Sequence, residues 1–179
     1  MNIQKFTQKS IEAMNDCVKI ATEYGNQEIE EEHLLLALLQ QEDGLIPSLF
    51  EKMGIDLQHF KDNVESKIAS RVKVSGGEQY WGKEINNAVN FAEDEAKAMG
   101  DDYVSVEHLF LSLLKHPNAA MKSLMKEYGI TRDRFLQVLS TVRGNRRVTS
   151  DNPEATYDTL EKYGYDMGER ARQKKMDRG

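Results

Sequence analysis

At 179 residues, with 39% hydrophobic and 30% charged side chains, the chain carries apolar material for one ordinary domain or two small ones. Its net charge of −6 and pI near 5.3 argue against a nucleic-acid binder that works through its whole surface, because neutralising phosphates needs a basic face. No apolar run reaches about 18 residues, and MNIQKFTQKS lacks the apolar stretch of a secretory signal; the expectation is a cytoplasmic chain with neither membrane nor nucleic acid as partner.

In chain order, Thr7 is a natural N-cap, and Ile11, Met14, Val18 and Ala21 follow at spacings of three and four, which predicts a first helix ended by Gly25. Cys17 is the single cysteine, so it forms no internal disulfide, and its neighbours Ala13, Met14, Ile20 and Ala21 make it a small core residue. A second, very apolar helix is predicted over 31–41. A third covers 45–53, with Ile46, Leu49, Phe50 and Met53 leading to Gly54. Asp56 then caps a fourth, with Leu57, Phe60, Val64 and Ile68 on one face.

Sliding the chain by 75 positions superposes it on itself. EEHLLLALLQ at 31–40 falls on VEHLFLSLLK at 106–115, so His33 meets His108 and Glu32 meets Glu107. Gly25/Gly100, Ser48/Ser123, Leu49/Leu124, Gly54/Gly129, Ile55/Ile130 and Phe60/Phe135 agree as well, with no gap. Caps, stops and core positions recurring together mean a duplicated four-helix unit. The predicted fold is all-α: two tandem repeats packed with pseudo-two-fold symmetry, and a short helical C-terminal extension. Repeat one spans about 1–71, a glycine-bearing connector 72–80, and repeat two about 81–145. A basic linker with RGNRR at 143–147 follows, read as solvated, and Asn152-Pro153 opens a tail helix with Tyr157, Leu160, Tyr163 and Met167 on its apolar side.

Candidate chemistry is sparse. GEQYWGKE at 77–84 matches a phosphate-binding loop except at its last position, where Glu84 replaces the metal-binding hydroxyl. His33 and His108 could share a zinc ion only across the pseudo-two-fold axis; the reading preferred is a first-turn histidine that bonds a neighbouring loop, copied with the fold. The carboxylates at 28–32 and 101–102 precede or open an apolar helix, where the dipole favours them, and Ser105 and Glu30 stand at equivalent cap positions. No nucleophile or acid–base pair emerges. What remains is Tyr80 and Trp81 on the connector, with Phe6, Tyr24 and Tyr103 near helix ends, as candidates to line a groove for apolar peptide.

E-H-L-L-L-A-L-L and E-H-L-F-L-S-L-L, each after a glycine stop, resemble the Clp N-terminal repeat domain, the N-terminal module of the Clp/heat-shock AAA+ unfoldases, over about residues 1–145. L-x-K-Y-G-x-D and E-R-A-R-x-x-K-x-D within 152–177 are similar to the approach to the first ATPase domain in the disaggregases of that family, so 146–179 is read as linker and truncated start of that domain. The resemblance implies a substrate-binding module without catalysis, cofactor or metal of its own, taking unfolded or aggregated polypeptide for a stress chaperone. ATP and magnesium, a hexameric ring and cooperation with a DnaK-type chaperone belong to the implied parent, whereas this chain is expected to be a monomer. It also ties substrate binding to Thr7, Asp101 and Glu107. Glu95 departs from the family, standing where an apolar groove residue is usual. The other reading is a module that docks a folded adaptor and never touches clients.

Overall fold

The computed structural model describes residues 2–153. Eight helices lie among them: α1 (Gln8–Glu23), α2 (Glu31–Gln40), α3 (Leu45–Lys52), α4 (Leu57–Ala69), α5 (Lys83–Ala98), α6 (Val106–Lys115), α7 (Ala119–Tyr128) and α8 (Arg132–Arg143). Two short strands, β1 (Glu28–Ile29) and β2 (Tyr80–Trp81), precede α2 and α5. The helical class expected from the periodicity is what forms, and no helix among the described residues is long and apolar enough to cross a membrane.

Local chemistry explains the boundaries. Thr7 and Asp56 cap α1 and α4, accepting the backbone N–H of Ser10 and His59 at 3.2 and 3.1 Å. Gly25 and Gly100 both take φ +72°, a left-handed stop that lets Asn26 N–H and Asp101 N–H reach back to the carbonyls of Ala21 and Ala96. Helix α1 buries Ser10, Ala13, Met14, Cys17, Ile20 and Ala21; Val18, expected on that face, lies one step off it and is exposed. Burial also pushes the Cys17 thiol far up, which keeps it inert.

Helices α2 and α6 form the centre. Every residue of α2 from Glu31 to Leu39 is buried, as is α6 from Val106 to Leu113; an all-round apolar helix needs neighbours on every side. Within each repeat the first helix packs along the second, α1 on α2 and α5 on α6. Between repeats the contacts come in matched pairs: α1 with α6 and α5 with α2, α3 with α6 and α7 with α2, α3 with α8 and α7 with α4. An aromatic chain crosses this seam, Phe60 to Phe50 at 4.9 Å, Phe50 to Phe110 at 5.7 Å and Phe110 to Phe135 at 4.6 Å. Its two ends are the repeat-related pair.

The register reaches the backbone pairing as well. β1 and β2 run parallel, Glu28 opposite Tyr80 and Ile29 opposite Trp81. Seventy-five residues away by the same rule, Phe6 bridges Val104. Gly82 N–H donates to Ile29 O at 2.8 Å, and Thr7 N–H to Val104 O at 3.0 Å. The lead-in to each repeat's first helix is therefore held by the other repeat. The connector thus ends in a strand instead of remaining a loose tether.

The basic linker also differs from its solvated reading. Arg143 is buried, Val148 is fully buried, and the segment is docked through Asp102 N–H to Val148 O and Gln8 N–H to Asp151 O, both 2.8 Å. The tail helices expected around Tyr157, Leu160, Tyr163 and Met167 lie outside the described residues.

Candidate functional site

The two histidines set the geometry of both central helix starts. His33 Nδ1 accepts the backbone N–H of Glu30 at 2.9 Å, and His108 Nδ1 accepts that of Ser105 at 2.8 Å. With Nδ1 an acceptor, Nε2 carries the hydrogen, which points to Asn26 Oδ1 at 2.9 Å and to Asp101 Oδ2 at 2.7 Å. Each ring ties the start of a helix to the turn that precedes it. Burial, followed by the nearby Arg71 charge, lowers the His33 pKa to about 4. No group of three or more histidine, cysteine or acidic side chains among the described residues could hold a metal ion.

Asp101 and Glu107 come together on one guanidinium. Arg143, at the end of α8, donates from Nη2 to Asp101 Oδ1 and from Nη1 to Glu107 Oε2 at 2.9 Å, and all three groups are buried. Asp101 also accepts Val148 N–H at 2.9 Å, and Glu107 accepts the Ser105 hydroxyl. Burial pushes the Asp101 carboxyl up, but His108, Arg143 and Val148 outweigh it and hold the group below the usual carboxylate range. Thr7 is likewise fully buried and reaches this cluster through its backbone bond to Val104, next to Ser105. None of the three presents its side chain to solvent.

Arg143 is also one wall of a cavity of about 320 Å³ formed by the end of α8, its following turn and the end of α5. Met99, Leu136 and Leu139 form its apolar part; Gly144, Asn145, Arg146 and Arg147 line the remainder and are exposed. A second cavity of about 440 Å³ lies at the end of α4, bounded by Asn26, Glu28, Arg71, Val72, Val74 and Tyr80 among others. The two share equivalent positions in the two repeats, Ser70/Asn145, Arg71/Arg146 and Val72/Arg147. Arg71 differs in its load, bonding Glu32 and Glu28 at 2.9 Å each. Tyr80 is 52% exposed beside exposed Val72 and Val74, while Trp81 is half-buried against the core. Phe6 is buried, so it belongs to the core and to no groove. Glu95 is buried on α5 and paired with Arg132 through two bonds of 2.5 and 3.1 Å.

The loop resembling a phosphate site is already filled. Gly82 is the N-cap of α5, and the Glu30 carboxylate accepts Glu84 N–H at 3.2 Å and Ile85 N–H at 3.0 Å. A phosphate would need those same donors. Next to it, Glu31 is fully buried; one oxygen accepts Asn118 N–H at 2.8 Å and the other has no hydrogen-bond partner. Burial pushes Glu30 up to about 7 and Glu31 to about 8. Because the folded Glu31 binds its proton more tightly than the unfolded chain, its stability contribution is complete below pH 4.5 and is lost as pH rises through 8. Glu31→Gln is expected to match the parent chain near pH 4.5 and to exceed it by about 1 kcal/mol or more at pH 8, measured by urea unfolding at both.

Paired helical repeats, crossed lead-in segments and buried polar junctions at both central helix starts define a duplicated, pseudo-two-fold helical module. The Clp repeat (R) N-terminal domain matches residues 5–128, and the chain belongs to that family. It is 42% identical to chaperone protein ClpB of Nitratidesulfovibrio vulgaris over 99% of its length, and 40% identical to that of Clostridium tetani, also over 99%. The chain spans about a fifth of those relatives, 21% in each case. Its fold is that of the Hsp104 N-terminal domain from Candida albicans, with a TM-score of 0.75 at 20% identity, over 84% of this chain and 99% of that one.

Proposed function

We propose that this chain is the substrate-binding N-terminal domain of an ATP-dependent chaperone that disaggregates proteins and helps refold them after stress. The observation that carries the reading is the cavity at the end of α8, where Met99, Leu136 and Leu139 offer a surface for an apolar side chain from a disordered segment. Asp101 and Glu107 act as positioning residues, since they hold Arg143, and Thr7 anchors Val104, the residue before Ser105. Tyr80, with Val72 and Val74, supplies a second apolar contact beside the cavity at the end of α4, and Trp81 backs it from the core side. ClpV N-domains share the fold, and the one from Vibrio cholerae compares at a TM-score of 0.65; a ClpV N-domain has been seen in complex with a VipB peptide. The parent would supply the ATPase, its magnesium and a hexameric ring in the cytoplasm, and would work with a DnaK-type chaperone.

Titrating the chain into a labelled, permanently unfolded protein and into its native counterpart decides the matter. Binding to the unfolded form alone is expected. Equal binding to both, or none at millimolar concentration, would sink the reading; one stoichiometric folded partner captured in place of clients would favour the adaptor-docking alternative.

A further inference from the structure

The cavity at the end of α8 carries more information than its apolar floor. Its exposed rim is basic: Arg146 and Arg147 follow Asn145 on the turn after α8. Arg147 is held in place. One nitrogen donates to Met99 O, the carbonyl that ends α5, and the guanidinium lies so close over Gly100 that a Cβ there would stand 2.3 Å from it. Arg146 is steadied through Val142 O, while its own carbonyl accepts Arg143 Nε at 3.1 Å. Arg143 has two carboxylates, but among the described residues no carboxylate lies within ion-pair distance of Arg147. Closing a helix C-terminus uses one donor nitrogen of Arg147, a residue that is exposed. This positive rim belongs to a chain of net charge −6.

We infer that the α8 cavity selects extended polypeptide in which acidic side chains adjoin apolar ones, the apolar group entering against Met99, Leu136 and Leu139 and the carboxylate meeting Arg147 and Arg146. The inference rests on the substrate-binding reading above and names the client class for that site. Charge complementarity chooses the occupant: a pre-held guanidinium offers paired donors to a carboxylate at little further ordering cost. A nucleic acid would present phosphates but would leave the apolar floor uncovered, and the overall acidic charge would repel it. The cavity at the end of α4 makes the contrast. Its equivalent arginine, Arg71, is neutralised by Glu28 and Glu32, and Val72 stands where Arg147 does, so it carries no such preference.

Three probes test this on the full 179-residue chain: the labelled unfolded protein, a labelled peptide alternating leucine with aspartate, and the same peptide with lysine for aspartate. The aspartate peptide is expected to bind about ten-fold more tightly at low ionic strength, with the gap closing in high salt. Arg147→Glu should reverse the preference while far-UV circular dichroism stays unchanged; if that variant loses helicity, Arg147→Gln and the salt dependence of the parent chain give the answer. Equal binding of the two peptides, or an acidic preference that survives both substitutions, overturns the inference. In that case binding of the unfolded protein leaves the substrate-binding reading standing, and loss of all three signals ends both. A single-stranded oligonucleotide that binds through Arg147 more tightly than the aspartate peptide would also overturn it.

Discussion

Arg143→Met is expected to lower the free energy of unfolding by about 3–5 kcal/mol, the largest loss for any single polar side chain described here. The size follows from what is left behind. Asp101 and Glu107 are both buried, and removing the guanidinium strands two carboxylates that cannot reach water. Asp101 would keep His108 and the Val148 N–H, but Glu107 would keep only the Ser105 hydroxyl among the bonds described above. Methionine replaces much of the stem, so the loss reports charge and hydrogen bonding more than a void. Arg143→Lys should recover a minority of it, because one ammonium cannot serve two carboxylates in a fork. Urea unfolding at pH 7 measures both. A loss under about 1 kcal/mol for Arg143→Met would mean the cluster is solvated and carries little of the stability. The pH course sets a further condition: Asp101 is held below its ordinary pKa, so its contribution is present above that value and fades as pH falls beneath it.

This cluster also shows where sequence reading succeeded and where it ran out. The 75-residue register exposed the helical duplication because caps, stops and core positions are local, and each leaves its own residue type in the chain. It also placed Asp101 and Glu107 at a helix start, and it read the histidines correctly as loop-bonding residues copied with the fold. Arg143 was invisible as a partner. It sits 36 residues from Glu107 inside RGNRR, and such a run reads as a solvated basic patch until the chain is folded. No repeat signal could help, since Ile68 occupies the equivalent place. The two cavities were equally hidden, being gaps between elements. Tyr80 and Trp81 are candidates from their aromatic character alone, and only the folded chain separates an exposed ring from a half-buried one.

Divergence between the copies supplies the second large effect. At one junction Thr7 caps α1 with its own hydroxyl, and Ser105 occupies the N-cap of α6. At the other, Gly82 offers α5 no side chain, and Glu30 at the N-cap of α2 bonds Ile85, the counterpart of Ser10. Gly82 has φ −66° and ψ 163°, which any residue adopts, so glycine is there for space. A Cβ at that position would stand 2.1 Å from Glu30 Oε2 and 2.7 Å from its Cδ. Small-plus-long at one junction replaces medium-plus-short at the other. Gly82→Thr alone should therefore cost about 2 kcal/mol, because the carboxylate is driven off the Glu31, Glu84 and Ile85 donors. Glu30→Ser alone should cost a similar amount, through the same uncapped donors. Made together they rebuild the Thr7–Ser105 arrangement, with the new threonine hydroxyl in reach of Ile85 N–H, and the pair should cost less than either alone. The coupling in that double-mutant cycle is about 2 kcal/mol or more, favourable and readable from urea midpoints. Additive losses would mean that the two junctions, for all their shared register, are closed by unrelated contacts.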